Sequence, residues 1–145
     1  MWTRITFLIL LASAPLGCTK KDPAVESLIG SEPQRLSFGQ PPEVMHSFVE
    51  KMKRCWFSGS KAPLAGYHYE TGEKAAGEGD GGPDGYQDVK IFGEAGNLEL
   101  FEVQFHKYND NTLIVTKNIG LPPEILGKVK RDIQLWALSS PDCNS

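Results

Sequence analysis

Residues 99–118 read ELFEVQFHKYNDNTLIVTKN, and this stretch decides the fold class. From Glu99 to His106, Phe101, Val103 and Phe105 alternate with Glu102, Gln104 and His106. A period of two sends successive side chains to opposite faces, so this is a strand buried on one side. Asn109-Asp110-Asn111 is a tight turn, since Asn and Asp tolerate turn conformations and bond their own backbone. Thr112 to Asn118 then returns as a second strand, with Leu113 and Val115 expected inward. Upstream, Asp88 to Phe92 pairs across a Gly96-Asn97 turn, and Gly66 to Glu70 adds a short edge strand.

Helix signals flank the strands. Pro41-Pro42-Glu43 opens one helix: proline lacks an N–H where a helix has no acceptor for it, and Glu43 suits the positive end of the dipole. Met45, Phe48, Val49 and Met52 recur at helical spacing, cations follow at Lys51, Lys53 and Arg54, and the helix should end near Cys55-Trp56-Phe57. Pro122-Pro123-Glu124 opens a second helix with Ile125, Val129, Ile133 and Trp136 as its apolar stripe. The expected fold is α+β: a small antiparallel sheet of three to four strands, with two helices on one face and one disulfide. Thr71 to Gly85, rich in glycine and acid, has almost nothing to bury and reads as a mobile excursion.

Outward from the domain, residues 19–40 are rich in Lys, Pro and Gly with scattered apolar positions, and read as a flexible linker. Before them stands MWTRITFLILLASAPLGC, residues 1–18. Arg4 supplies a positive start, Ile5 to Leu11 an apolar core, and small residues follow, which is the pattern of an export signal. The apolar run is well short of the ~20 residues that span a bilayer. Two cleavage points are present: Ala12-Ser13-Ala14, which is followed by Pro15, and Leu16-Gly17-Cys18. The second resembles the lipobox of bacterial lipoproteins. That resemblance implies cleavage after residue 17 and attachment of fatty acyl chains such as palmitate to Cys18. It also implies that Thr19, in the place of the aspartate that retains inner-membrane lipoproteins, sends the protein to the outer membrane facing the periplasm. The organisation expected is a signal at 1–17, a lipidated tether at 18–40, and a periplasmic domain at 41–145. Each buried methylene contributes ~0.8 kcal/mol, so two acyl chains hold where one does not.

With Cys18 assigned to lipid, Cys55 and Cys143 remain, and an even pair in a small exported domain predicts a disulfide. Three strands between the helices would bring both cysteine-bearing ends together, whereas four would require residues 139–142 to stretch across, so the pairing favours a three-stranded central sheet with Gly66 to Glu70 peripheral. Two further resemblances add to this reading. Arg54-Cys55-Trp56-Phe57, Gly66-Tyr67-His68-Tyr69 and Trp136 with Cys143 are similar to a set of small exported alphaproteobacterial proteins that carries no assigned activity. The α-β-β-β-α order looks like the periplasmic domains of Ton and Tol energy-transducing proteins, a likeness of fold only.

The chain has a formal net charge of −3, and losing Arg4 makes the remainder more negative. That excludes a nucleic-acid binder, which needs a basic stripe to displace counterions from phosphates. No catalytic residue, metal ligand set or cofactor motif emerges. His46, His68 and His106 lack zinc-ligand spacing. Asp80, Asp84 and Asp88 fail the calcium-loop pattern, since positions three and twelve counted from Asp80 are Gly82 and Ile91. Glu99 and Glu102 are expected on opposite or offset faces. Trp56, Phe57, Tyr67 and Tyr69 read as core aromatics that could alternatively line a groove. The expected function is that of a membrane-anchored envelope lipoprotein whose domain binds a protein or peptide partner. The alternatives are an envelope-acting hydrolase with a site near Trp56 and His68, and a structural or assembly factor without ligand.

Overall fold

The computed structural model describes residues 34–79 and 82–143. Strand β1 spans Arg35–Phe38, helix α1 Pro41–Met52, and strands β2 to β5 His68–Lys74, Tyr86–Phe92, Glu99–Tyr108 and Asn111–Asn118; helix α2 spans Pro123–Ala137. The strands form one antiparallel sheet in the order β1-β5-β4-β3-β2. The α+β class and the Cys55–Cys143 disulfide are as expected, but the sheet has five strands, not three to four.

The additional strand is β1, which falls inside the stretch expected to be a flexible tether as far as residue 40. Its four residues are too few to register a period, and a strand this short is stabilised by its neighbour: Leu36 pairs with Leu113 and Ser37 with Thr112. The Thr112 hydroxyl donates to the Gly39 carbonyl at 2.8 Å and fixes the turn into α1. Strand β2 also exceeds its expectation, running on to Lys74 through residues read as loop. Gly72 is tolerated there because a Cβ would stand 2.5 Å from the Asp88 carboxylate, which uses that space.

The register of β4 with β5 corrects which side chains face the core. Tyr108 pairs with Asn111, so the turn holds two residues, with Asn109 at φ 55°. Phe105 therefore stands opposite Ile114, while Leu113 and Val115 share the other face with His106 and Gln104. Ile114 joins the core under the helices, whereas Val115, only 3% exposed, is buried on the other face.

That core lies between the sheet and both helices. Val44, Phe48 and Met52 of α1, and Val129, Ile133 and Trp136 of α2, pack with Val89, Ile91, Phe101, Val103, Phe105 and Ile114. By register these strand residues share one face, so both helices cover the same side, as expected. Residues Lys53–Phe57 continue α1 as a π-helix. Its wider turn, a form common at functional and strained positions, brings Cys55 and Trp56 inward together. Trp56 stacks on Trp136 with centroids 4.9 Å apart, and Phe48 meets both rings and Phe105 edge-on. Such pairs contribute ~0.5–1.5 kcal/mol each beyond area burial. The Trp56 indole N–H donates to the Asp132 carboxylate at 2.8 Å, both residues being fully buried.

Four strands, not the favoured three, separate the helices, and β2 is a full member of the sheet, so the carboxy-terminal tail does span the gap. Ser139 takes φ 65° after α2, the Trp136 indole donates to the Asp142 carbonyl at 2.9 Å, and the Arg54 guanidinium donates to the Pro141 carbonyl. The tail so held brings Cys143 to Cys55 with Cα atoms 5.5 Å apart, within disulfide reach.

Two outcomes follow for stability. Replacing both Cys55 and Cys143 by serine should lower the free energy of unfolding by ~2–5 kcal/mol in urea titration, since the bridge closes a long loop. Asp132→Ala should cost ~1–3 kcal/mol in the same assay, because it strands the Trp56 N–H without an acceptor in a dry core.

Candidate functional site

The residues singled out in the sequence fall in different places. Cys18 and Asp80 lie outside the described residues, and nothing structural bears on them. Cys55 and Cys143 are joined. Trp56 and His68, the centre of the hydrolase alternative, are not brought together. Trp56 is fully buried under the helices; His68 is exposed on β2 and stacks flat on Phe92 at 5.1 Å. Its neighbours Tyr67 and Tyr69 turn the other way, to the core, where Tyr69 meets Phe57 at 5.4 Å. The aromatic set is thus core packing. His46 is exposed on α1, whereas His106 stands on the sheet against Tyr86 at 4.8 Å. Asp88 lies in mid-strand, so it cannot belong to a loop with Asp84. Among the described residues no group of three or more His, Cys, Asp or Glu side chains could hold a metal ion.

A hollow of about 340 Å³ lies between the helices over Phe48 and Trp136, with Glu43 and Lys51 on its rim. Burial, reinforced by the Arg54 charge, lowers the pKa of Lys51 below the usual lysine range. Glu43 and Lys51 are two helical turns apart on α1, ~12 Å along the axis, too far to act on one atom.

The richer surface is the sheet face that no described helix covers. Register assigns its rows. Leu36, Leu113, His106, Tyr86 and Lys74 form one row across all five strands. Val115, Gln104, Asp88 and Gly72 form the next, and Lys117, Glu102, Lys90 and Glu70 the one after. At the opposite margin Phe38, Asn111 and Tyr108 make a short row. Phe38 is 79% exposed, Tyr108 49% and Leu36 47%, so one corner of the face is apolar and open.

The centre of the face is charged. Burial alone would lower the pKa of Lys90, but its hydrogen bond to Glu99 at 3.1 Å, with the charges of Glu99, Glu102 and Asp88, outweighs that and raises it. Glu99 and Glu102 therefore converge on one lysine, contrary to the expectation of opposite or offset faces. The register shift between Ile91 and Phe92 is what turns Glu99 to this side. Asp88 is only 3% exposed, and its Oδ1 has no hydrogen-bond partner among the described residues. Burial raises its pKa above the usual aspartate range, and the Lys90 and Lys74 charges and the Gly72 N–H only partly offset this. The His106 Nε2 and the Gln104 Oε1 are 3.0 Å apart.

Asp132 is a buried polar residue that the sequence analysis does not single out, although it stands three residues after Val129 on the buried stripe. Asp88 is expected there at the start of a strand, but its burial depends on which residues stand across from it. Comparison with protein families, with curated proteins and with solved structures finds no match to this chain.

The raised pKa of Asp88 gives a signed pH dependence. The folded state binds the proton more tightly than the unfolded chain, so stability falls as pH rises from the ordinary aspartate value through the folded value. Asp88→Asn should remove that component. Urea titrations from pH 3 to 7 should show the variant gaining stability relative to the parent as pH increases.

Proposed function

We propose that the chain is a membrane-anchored cell-envelope lipoprotein, held through acyl chains on Cys18, whose small domain binds a protein or peptide partner. The apolar leader and the Leu16-Gly17-Cys18 ending support the anchor, and Thr19 supports the outer membrane, facing the periplasm. No helix among the described residues is long and apolar enough to cross a membrane, and in this reading attachment rests on the acylated cysteine.

The observation that carries the binding half is the sheet face turned away from the described helices: Val115, Glu102 and Asp88 on it are buried, but Leu36, Phe38 and Tyr108 are exposed together at one corner. Single exposed apolar residues are ordinary on protein surfaces, whereas grouped ones mark contact sites. Here the group lies on strands whose other side is fixed by the core, so the surface is rigid before any partner arrives, and binding loses little conformational entropy. Residues from Cys18 to Gln34 give the domain a reach of at most ~60 Å when extended.

Two measurements separate the halves of the proposal. Cys18→Ser should abolish acylation, detected by mass spectrometry of the amino-terminal peptide, and should release the protein from the membrane fraction; unchanged fractionation would remove the anchor. Leu36→Ser with Phe38→Ser should erase a discrete adduct formed by crosslinking in intact cells while leaving the Cys55–Cys143 bridge in place. A parent protein that gives no adduct would remove the binding role.

A further inference from the structure

Among the described residues the outer edge of β2 has no strand beyond it, since β2 ends the sheet order. Its residues from His68 to Glu73 are exposed except the half-buried Tyr69. An edge of this kind presents a row of free backbone N–H and C=O groups, and charged side chains usually keep other strands away from it. The charges on β2 have an order that does the opposite for one particular partner. Glu70 and Lys74 stand two residues either side of Gly72. Reversed about Gly72, the segment becomes its own complement.

From this we infer that two copies of the chain pair through β2, antiparallel about a two-fold axis at Gly72, and join their sheets edge to edge. The pairing sets Glu70 against the partner's Lys74, Lys74 against the partner's Glu70, Thr71 against the partner's Glu73, and the two glycines against each other. A two-fold contact needs a self-complementary patch, and this one is.

The rows of the uncovered face argue for the same register. Lys117, Glu102, Lys90 and Glu70 alternate in sign across four strands, and at β2 the row ends on an acid. The partner's Lys74 continues the alternation. The symmetric row runs from Lys74 onto the partner's Glu70 and so onward through the second sheet. Opposite charges directly across an antiparallel pair stabilise it and like charges oppose it. The Asp88 carboxylate overlies Gly72 and feels Lys74. In the pair, the two Asp88 groups are kept apart by both glycines and flanked by a Lys74 from each copy. The contact involves one seven-residue strand per copy, so it belongs to the small, reversible class of interface. It does not depend on the anchor or on the apolar corner.

Sedimentation of the detergent-solubilised protein at rising concentration tests this directly. The parent should show a monomer–dimer equilibrium. Glu70→Lys alone and Lys74→Glu alone should each weaken the dimer at least tenfold, since each makes two like-charge pairs. The double variant Glu70→Lys/Lys74→Glu should recover the parent's dimerisation to within about threefold. A parent that stays monomeric, or a dimer indifferent to the single reversals, overturns the inference. Thr71→Cys combined with Glu73→Cys supplies an independent reading on membranes: a dimer-sized band on a non-reducing gel supports the register, and its absence overturns it.

Discussion

A buried carboxylate and a buried indole hold the two halves of this chain together. Asp132 and Trp56 come from helices separated by four strands in sequence, and both are removed from water. A carboxylate in such a place is costly unless its oxygens are bonded, and the indole N–H is equally costly without an acceptor. The indole N–H donates to one Asp132 oxygen at 2.8 Å, which gives the Trp56 donor its acceptor. Once that bond is made, Trp136 lies one turn on from Asp132, Trp56 stacks against it, and Phe48 fits edge-on to both. The tail follows, because the same Trp136 uses its own N–H to hold the Asp142 carbonyl beside Cys143. The disulfide therefore closes a geometry that hydrogen bonding and ring packing have already set.

This junction decides where recognition can take place. It fills most of the helix side of the sheet, and the hollow over Phe48 and Trp136 lies between charges too far apart to act on one atom. The strongest aromatic signals in the sequence, Trp56, Phe57, Tyr67 and Tyr69, are consumed there. The opposite face has a composition unlike a core: an apolar corner at β1, a histidine–tyrosine contact, and a ladder of alternating charge. Asp88 sits in the middle of that face as a local destabilisation, a carboxyl group that burial disfavours in its charged form. The surrounding lysines reduce that penalty without removing it.

Much of this was legible in the sequence. Strand periodicity in residues 99–118 and the paired Pro-Pro-Glu openings gave the class, the helices and their common face, and cysteine arithmetic gave the bridge. The failures have physical causes. Arg35–Phe38 is too short to show a period and exists because β5 offers it a ladder. Gly72 looked like loop because its lack of a side chain is explained only by the Asp88 carboxylate across the strand pair. The inward set of β5 was misassigned by one residue because a two-residue turn, rather than three, shifts every side chain to the other face. Glu99 changed sides for a similar reason, through a bulge that no local pattern announces. The candidate surface was the least legible part, since it depends on which residues stand abreast across five strands, and that is a property of register alone.

The two sheet edges are treated differently, and the difference bears on how the molecule meets others. At β1 the helix α2 packs alongside, and Arg35 lies near Lys130 and Arg131 around a small hollow. That edge is only four residues long, and a short edge strand is a recognised way of blunting an edge. At β2 the π-helix meets the strand only on its core side, Phe57 against Tyr69, and the charges are mixed rather than of one sign. Mixed charge repels a generic strand only weakly but discriminates sharply among registers, because a slip of two residues brings Glu70 opposite Gly72 and loses both pairs. An edge so arranged resists indiscriminate pairing while leaving one favourable alignment, the one in which the segment meets its own sequence reversed.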